Sequence, residues 1–529
     1  MKTFKFLKSS VAVVLIAIGI SACDSGFQQL NNNPNSPTHA PAKLVIPDVE
    51  HDMAWELYNT NMNLYVGAIW VQYYAKIQYA DEDLYNLTAR LGMIDNNWDY
   101  TYVRIAKNLQ NILDAAKKAN DKNLIGVATI LDVYNFQNST DMWGDIPYSE
   151  ALGGDADTPN IQPKFDSQKA IYTDLISRLK TAIANMDVGG TLPFSSQDLV
   201  YGGDVAKWQK FGNSLLLRLY MRMSKADPAT AKAGVQSILN SNAPIFESND
   251  DNAAFAFAAN PYNNPVNDQA RTRQDFMIST TALNMLEQYN DPRISVYAAP
   301  VVDKDARDSL VNATGYPYQG VRNGVKSQQI PLSAASPFGA YFNAPACPGW
   351  LMTYPEVMFI KAEAIQRGWI SGDAAQAYDD AITASMHMYT QDRLDAVLGS
   401  FPGDAAYTKQ GFSKADFPTG ITDQQIQDYL SQTGVAYDPA KGLQQIATQK
   451  WLALFGQGFE GWTEWRRLRY PVLTPGPDAK LKQVPNRLFY PTLEESVNKK
   501  NLDAAMSSQG FSGLGGPTQR LLGKVWWEK

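Results

Sequence analysis

Cysteine is nearly absent from this chain, whose 529 residues include only Cys23 and Cys347. Cys23 follows an N-terminal apolar run and is interpreted below as a lipid attachment site, which leaves Cys347 without a partner in the chain. The sequence therefore excludes a disulfide framework. Stability must come from the core, and a chain of about 500 residues can bury a large one. Cys347 is interpreted as a packed or shielded thiol rather than a reactive one.

Histidine is also scarce, with only His39, His51 and His387 in the sequence. No two of them have metal-ligand spacing, and there is no His-Glu-x-x-His motif. The sequence also lacks a Walker-type phosphate loop, a dinucleotide fingerprint and a Gly-x-Ser-x-Gly elbow. These absences argue against a zinc hydrolase, a nucleotide-dependent enzyme and a Ser-His-Asp hydrolase.

Carboxylates are the remaining candidates for catalysis. A glycosidase needs only two acids about 5–10 Å apart, which a sequence cannot show. The clusters 81–83 and 250–251 are interpreted as solvated loop charges instead. Their oxygens could hold a structural calcium ion, but neither cluster has EF-hand spacing, so no cofactor is predicted.

Charge is low, with 19% charged residues and a formal net charge of −7. Loss of residues 1–22, which carry three lysines and no acidic residue, would change −7 to −10. An acidic chain lacks the electrostatic footprint of a nucleic-acid binder. It also lacks a polybasic patch for an anionic membrane surface, so any membrane contact is expected through a lipid anchor only.

Long hydrophobic runs are missing except at the N-terminus. There, a lysine-containing segment precedes the apolar run Val11–Ile20, and Ser21-Ala22-Cys23 follows it. The run is shorter than the roughly 20 residues that span a bilayer. This pattern is typical of a bacterial lipoprotein signal, so residues 1–22 are expected to be removed and Cys23 lipidated. A cleaved secretory signal with an incidental cysteine is the alternative.

The rest of the chain has helical periodicity. In 166–186, Ile171, Leu175, Leu179 and Ile183 recur every four residues, behind an Asp or Ser that can cap a helix. Similar spacing occurs in 95–119, 123–138, 204–223 and 355–390. We predict a mainly α fold with tetratricopeptide-like helical pairs, although no clean 34-residue repeat is present.

Long irregular stretches interrupt these helices at 245–275, 300–354 and 395–441. Loops of this length in a compact domain are usually functional, so we expect them to form a ligand face. Residues 23–43, rich in Asn, Pro and Ser, are predicted to be a lipidated tether and docking segment. No linker interrupts 44–529, which we predict to be a single domain.

Several motifs resemble, in their residues and in their order along the chain, those of the SusD/RagB-like outer-membrane lipoproteins of Bacteroidetes. The resemblance is to the SusD-like branch. The motifs lie at 33–37 (Asn-Pro-Asn-Ser-Pro), 143–151, 163–168, 171–172, 204–218, 291–293, 354–357, 361–364, 449–451, 464–467, 485–487, 490–491 and 494. Some have a structural explanation: Trp465, Arg466 and Arg467 are expected to pair with helix carboxylates or cap carbonyls in the core, and 291–293 to form a turn.

The resemblance implies a binding protein rather than an enzyme. Such lipoproteins sit on the cell surface, anchored in the outer membrane, and act as lids on a SusC-like TonB-dependent barrel. The implied ligand is an oligo- or polysaccharide, and the chain's 11% aromatic content suits it, because Trp and Tyr rings stack on sugar C–H faces. A peptide-binding lid on the same scaffold and a surface glycoside hydrolase remain alternatives.

Candidate ligand residues come from two clusters, with core packing as the alternative for each aromatic. The family places ligand loops before the Tyr-x-Glu-Val helix, which selects Tyr316, Tyr318, Arg322, Asn323, Phe338, Tyr341 and Trp350. The second cluster comprises Tyr74, Tyr79, Asn96 and Trp98.

Overall fold

A computed structural model describes residues 42–154, 159–258, 261–401 and 413–529. The predicted signal segment 1–22, the lipidation residue Cys23 and nearly all of the predicted tether 23–43 lie outside these ranges. Within them the protein is mainly helical, as the sequence predicts. No helix in the described ranges is long and apolar enough to cross a membrane.

The α-helices of the described residues run in chain order along the whole molecule. They span Ala42–Tyr58, Ala68–Trp70, Leu91–Asp99, Lys107–Ala119, Lys122–Trp143, Gln168–Asn185, Val205–Arg222, Pro228–Leu239, Pro265–Thr272, Thr280–Gln288, Ile294–Tyr297, Lys304–Thr314, Ala340–Asn343, Tyr354–Gln366, Ala374–Met386, Gln391–Leu398, Asp423–Leu430, Gly442–Ala453, Gly458–Leu468, Thr492–Val497, Lys499–Ser508 and Pro517–Arg520. Two π-helical segments, Thr60–Gly67 and Tyr100–Ala106, extend neighbouring helices.

Strands are short and form three two-stranded antiparallel sheets. Tyr74–Lys76 pairs with Phe276–Ile278, Ile146–Pro147 with Phe165–Asp166, and Ala253–Phe255 with Gly349–Met352. In each sheet, the two strands are either far apart in the sequence or joined by a long connection. The stretches predicted to be irregular at 245–275 and 300–354 therefore contain both strands and helices.

Consecutive helices pack in pairs, which agrees with the predicted scaffold. Close pairs are Lys107–Ala119 with Lys122–Trp143, Lys122–Trp143 with Gln168–Asn185, and Tyr354–Gln366 with Ala374–Met386. The predicted cap is present, since Ser167 Oγ accepts a hydrogen bond from the backbone N–H of Ala170.

The core contains a network of buried ion pairs between helices. Arg218 donates to Glu356 through Nε (2.7 Å) and Nη2 (2.6 Å), and Arg467 Nη1 donates to Glu363 Oε1 at 2.6 Å. Arg466 Nη1 donates to the carbonyl oxygens of Asp141 and Asn486. These contacts confirm that Arg466 and Arg467 pair with carboxylates and carbonyls in the core. Buried charges of this kind need partners, because desolvating an ion is costly.

A close backbone approach fixes the N-terminal helices against the C-terminal half. Gly67, at the end of the π-helical segment, lies against Gly458, where a Cβ on Gly67 would come within 2.2 Å of the Gly458 carbonyl carbon. Asn63 Oδ1 accepts a hydrogen bond from Gly458 N at 3.0 Å. Separately, the pairing of Tyr74–Lys76 with Phe276–Ile278 and the Thr60–Gln269 hydrogen bond bring the N-terminal segment beside residues 265–278.

Candidate ligand site

Six of the predicted ligand residues lie in the core, with exposed fractions of 1–8%. Tyr74 packs on Phe338 with ring centroids 4.0 Å apart, and Tyr341 stacks on Trp350 at 6.1 Å. The other two in this buried set are Tyr318 and Trp98. Sugar stacking needs an open ring face, and these rings have none. Core packing, the alternative considered from the sequence, therefore describes all six.

The remaining members of the first cluster are not brought together as a polar site. Asn323 cross-links the scaffold: its Nδ2 donates to Tyr74 O (2.7 Å) and Asp83 Oδ1 (3.0 Å), and its Oδ1 accepts from Ser279 Oγ. Tyr316 is half-buried and donates its hydroxyl to Asn290 Oδ1 at 2.8 Å. Arg322 is exposed. The structure thus gives the 316–350 stretch a mainly structural role.

In the second cluster, Tyr74 and Trp98 are buried, but Tyr79 and Asn96 line surface depressions. The first, the Trp55 depression, has a volume of about 400 Å³ and is lined by Trp55, Asn59, Thr60, Asn61, Asn96, Pro265, Asp268, Gln269 and Thr272. The second, the Tyr79 depression, has a volume of about 690 Å³ and is lined by Gln78, Tyr79, Asp81, Arg90, Thr272, Arg273, Gln274, Asp275 and Leu332. They meet at Thr272, and we call the pair the joined groove.

Each depression has an aromatic side chain at its surface. Trp55 is half-buried and stacks on His51, with centroids 5.7 Å apart and planes at 25°. Tyr79 is 64% exposed and has a backbone φ of 55°, which few non-glycine residues adopt. An exposed aromatic in an uncommon backbone conformation is a frequent feature of binding sites. The joined groove therefore offers two rings for stacking.

Amide side chains provide most of the polar lining. Asn59 Oδ1 accepts hydrogen bonds from Asn61 N and Met62 N, which holds the rim in place. Thr60 Oγ1 donates to Gln269 Oε1 at 3.3 Å. The Nε2 atoms of Gln269 and Gln274 are inaccessible to solvent and have no hydrogen-bond partner in the protein. Unpaired buried donors are uncommon, but these two lie beneath the surface of the groove, so the amide groups exposed to it are those of Asn61 and Asn96.

Charged side chains form the floor of the Tyr79 depression. Arg273 Nη2 lies 2.7 Å from Asp275 Oδ2, and Arg90 Nε donates to Glu82 Oε1 at 2.6 Å. Lys76 Nζ lies 3.4 Å from the same glutamate. Burial lowers the pKa of Lys76, and the charge of Glu82 opposes that effect. The floor is a fixed ionic network rather than a mobile surface cluster.

This network corrects the interpretation of the acidic clusters as solvated loop charges. Glu82 and Asp83 are fully buried, and Asp251 is buried as well. Burial raises the pKa of Asp83 to about 6, against hydrogen bonds from the Lys76 backbone and Asn323. Asp251 accepts a hydrogen bond from Glu247 N and pairs with Lys210. Of the two clusters, only Asp81 and Asp250 are exposed.

Another large depression lies between Lys107–Ala119, Lys122–Trp143 and Gln168–Asn185, with a volume of about 560 Å³. Several of its polar groups already bond to each other: Arg178 donates to Asp132 at 2.6 Å, and Tyr148 donates to Asp174 at 2.5 Å. Much of its remaining surface is aliphatic. It has fewer free polar groups for a hydrophilic ligand than the joined groove has.

Sequence reasoning missed Trp55, Gln269, Gln274, Arg90 and Arg273. Asn59–Asn63 and 263–274 are amide-rich stretches, and this composition was the available signal. No local pattern shows that these two stretches become neighbours. Among the described residues, no three His, Cys, Asp or Glu side chains are grouped so that they could hold a metal ion.

A helical scaffold with an aromatic and amide-lined groove defines a class of ligand-binding proteins. A family model described as starch-binding and associating with the outer membrane matches residues 34–491. The chain therefore belongs to the SusD-like family. No functionally curated protein matches it.

Solved structures place the chain in the same group. One, described as a chitin-binding protein, is 26% identical, with a TM-score of 0.75 over 92% of this chain and 100% of the other. A chitin-binding SusD homologue from Flavobacterium johnsoniae is 25% identical, with a TM-score of 0.69 over 92% and 97%. A Bacteroidetes SusD-like protein, 22% identical over 93% and 100%, has a TM-score of 0.74 and shows the shared fold.

Members of this family are binding proteins, so the chain is a binding protein and not an enzyme. The resemblance inferred from the sequence motifs is confirmed, as is the tetratricopeptide-like helical fold. The glycoside hydrolase alternative has no support from these relatives.

Proposed function

We propose that this protein is a lipid-anchored cell-surface glycan binder that holds an oligo- or polysaccharide in the joined groove and delivers it to a SusC-like TonB-dependent barrel. Cys23 would carry the lipid. The observation that carries the proposal is the joined groove, with Trp55 and Tyr79 as rings and a polar lining that includes Asn61 and Asn96. The family description and the chitin-binding relatives support a carbohydrate ligand.

The chemistry of the groove suits a sugar chain. A pyranose has an apolar C–H face and a rim of hydroxyl groups, so it uses stacking and hydrogen bonds together. Trp55 and Tyr79 supply the stacking faces, and Asn61 and Asn96 supply hydrogen bonds. We expect modest affinity for each site, because both surfaces lose water and the ligand loses torsional freedom. Capture between lid and barrel would add avidity.

Calorimetry with soluble protein lacking the anchor tests the site. The titrants are neutral oligosaccharides, including chitin and starch fragments, and uronic-acid oligosaccharides. Tyr79→Ala and Trp55→Ala should each reduce the affinity of a bound glycan at least about tenfold, since stacking and area burial contribute over 1 kcal/mol. Tyr262→Ala is the matched control, because Tyr262 is also 64% exposed and lines neither depression. Unchanged affinity in both groove variants would contradict the assignment.

The peptide-binding alternative is separated in the same experiment. Oligopeptides of mixed charge are titrated beside the oligosaccharides into the wild-type protein. Binding of peptides without any binding of sugars would replace the glycan proposal with that alternative. The barrel partner is tested separately, by affinity purification of the tagged full-length chain from outer membranes. A TonB-dependent barrel in stoichiometric amount supports delivery, and its absence contradicts it.

A further inference from the structure

We infer that the ligand of the Tyr79 depression carries carboxylate groups, so the bound glycan is a uronic-acid oligosaccharide. The inference rests on the proposed glycan-binding function and specifies the class of sugar. Its evidence is the arrangement of two arginine side chains, Arg90 and Arg273, that line one depression.

Both arginines are held rigidly at the surface. The Arg90 guanidinium lies over the Tyr65 ring, 5.0 Å from its centroid, and the Arg273 guanidinium lies over the Tyr79 ring at 4.8 Å. Each also bonds or pairs with a buried carboxylate, Glu82 or Asp275. A guanidinium fixed on an aromatic face and by a carboxylate has already lost its conformational freedom. It can then bind an anion without that entropic cost.

Each arginine keeps donors that the carboxylates do not occupy. A guanidinium has five N–H donors in a planar fork. The contact of Arg90 with Glu82 is made through Nε, and that of Arg273 with Asp275 through Nη2. The side chains are 39% and 48% exposed, so their remaining donors are accessible from the depression. Two such forks can each bind a carboxylate through paired hydrogen bonds.

The balance of donors and acceptors in the depression favours an acceptor-rich ligand. Gln274 Nε2 has no partner, and Gln78 Nε2 is used by Asp275 Oδ1 at 2.8 Å. The carboxylates of Glu82 and Asp275 are buried beneath the arginines, which leaves Asp81 as the exposed acid of the lining. Sugar hydroxyl oxygens can accept single hydrogen bonds from the guanidinium donors. A uronate carboxylate accepts two parallel, charge-assisted hydrogen bonds from one guanidinium fork, which a hydroxyl group cannot do.

The test compares each acidic oligosaccharide with its own carboxyl-reduced form, in calorimetry on the wild-type protein. Oligogalacturonate, an alginate oligosaccharide and a hyaluronan oligosaccharide serve as probes. At least one acidic probe should bind about tenfold or more tighter than its reduced partner, because the carboxylate makes paired, charge-assisted hydrogen bonds that a hydroxymethyl group cannot make. The difference should shrink in 0.5 M NaCl.

Lysine variants test the arginine assignment while they keep the positive charge beside each buried acid. Arg90→Lys and Arg273→Lys should each weaken the acidic probe about tenfold and the reduced probe less than twofold, because lysine lacks the planar fork. Arg393→Lys is the matched control, since Arg393 is 38% exposed, pairs with Asp250 and lies outside the groove. If a groove variant fails to fold, the comparison of acidic and carboxyl-reduced probes on the wild-type protein still tests the uronate assignment.

The outcomes separate this inference from the broader function. Equal or tighter binding of the reduced forms, or binding of neutral glycans alone, overturns the uronate assignment and leaves the glycan proposal standing. Binding of a hexaglutamate peptide with no binding of any uronate also overturns it. If no oligosaccharide binds, acidic or neutral, both the inference and the glycan proposal fail.

Discussion

Arg467 and Glu363, 104 residues apart in the sequence, form a buried two-pronged ion pair. Both side chains are almost inaccessible to solvent. Burial alone would raise the pKa of Glu363, but the charge of Arg467 holds that pKa below its usual range. The pair connects the helix Tyr354–Gln366 to the helix Gly458–Leu468. It is part of the framework that holds the helices of the C-terminal half together.

Glu363→Gln should destabilise the fold by about 3 kcal/mol, because it removes a negative charge that pairs with the buried Arg467 guanidinium. The measurement is urea-induced unfolding followed by circular dichroism. Asp503→Asn is the control, since Asp503 forms an exposed pair with Lys499 on one helix. The control should change stability by less than about 0.5 kcal/mol. Equal effects in the two variants would show that the buried pair has no special role.

Glu56 should make stability depend on pH. Burial, with the nearby charge of Asp52, raises its pKa from 4.5 to about 8. Between these values the folded state keeps a proton that the unfolded state has released, so stability falls as the pH rises through this window. Glu56→Gln should remove that fall and be more stable than wild type by about 1–3 kcal/mol at pH 8.

Unfolding at pH 5, 6, 7 and 8 checks this prediction. The advantage of Glu56→Gln should grow with pH and be smallest at pH 5. Glu247→Gln serves as the control, since Glu247 is 74% exposed. A constant difference between Glu56→Gln and wild type at every pH would contradict a protonated Glu56.

Tyr341 and Trp350 should affect stability more than ligand binding. They stack on each other in the core, and Tyr58 donates a hydrogen bond to the Trp350 carbonyl oxygen. Tyr341→Ala or Trp350→Ala should therefore cost about 3–5 kcal/mol in unfolding free energy. The affinity of the remaining folded protein for glycan should stay within about twofold. Loss of affinity without loss of stability would return these rings to the ligand site.

Cys23 should carry the lipid, although it lies outside the described residues. In cells fed an alkyne-tagged fatty acid, wild-type protein and Cys347→Ala should both be labelled and should fractionate with membranes. Cys23→Ser should lose the label and the membrane association, because Cys23 is the predicted site of lipid attachment and several acyl chains on one residue suffice to hold a protein on a membrane. Labelling of Cys23→Ser would contradict the predicted attachment site.

Cys347 should be unreactive in the folded protein. The thiol is 2% exposed, and burial raises its pKa, so little thiolate is available for attack. Iodoacetamide should label it rapidly only after denaturation. Rapid labelling of the native protein would show that this part of the core opens.

Sequence patterns predicted the helices well, and the physical reason is local. The four-residue spacing from Ile171 to Ile183 and the Ser167 cap both depend on residues within one helix. The roles of Arg466 and Arg467 were also predictable, since buried guanidinium groups require acceptors. The helix pattern needs no knowledge of distant contacts, whereas the partners of the two arginines, such as Asp141 and Glu363, are visible only in the structure.

The site was less predictable because long-range contacts create it. Arg90 and Arg273 line one depression, and the segments that carry them are joined by the pairing of two three-residue strands, Tyr74–Lys76 and Phe276–Ile278. Strands this short leave no recognisable periodicity. Aromatic residues in 316–350 suggested a ligand face, but the sequence does not show which face of each ring is covered. Burial of Phe338 and Trp350 emerged only from the three-dimensional structure.

The assigned glycan site can be seen directly in a crystal structure of the protein with a bound oligosaccharide. Sugar rings are expected in the joined groove, one against Trp55 or Tyr79, with hydroxyl or carboxylate oxygens on Asn96 or the arginines. Sugar bound instead at the exposed loop of Tyr316 and Arg322, with the groove empty, would contradict that assignment.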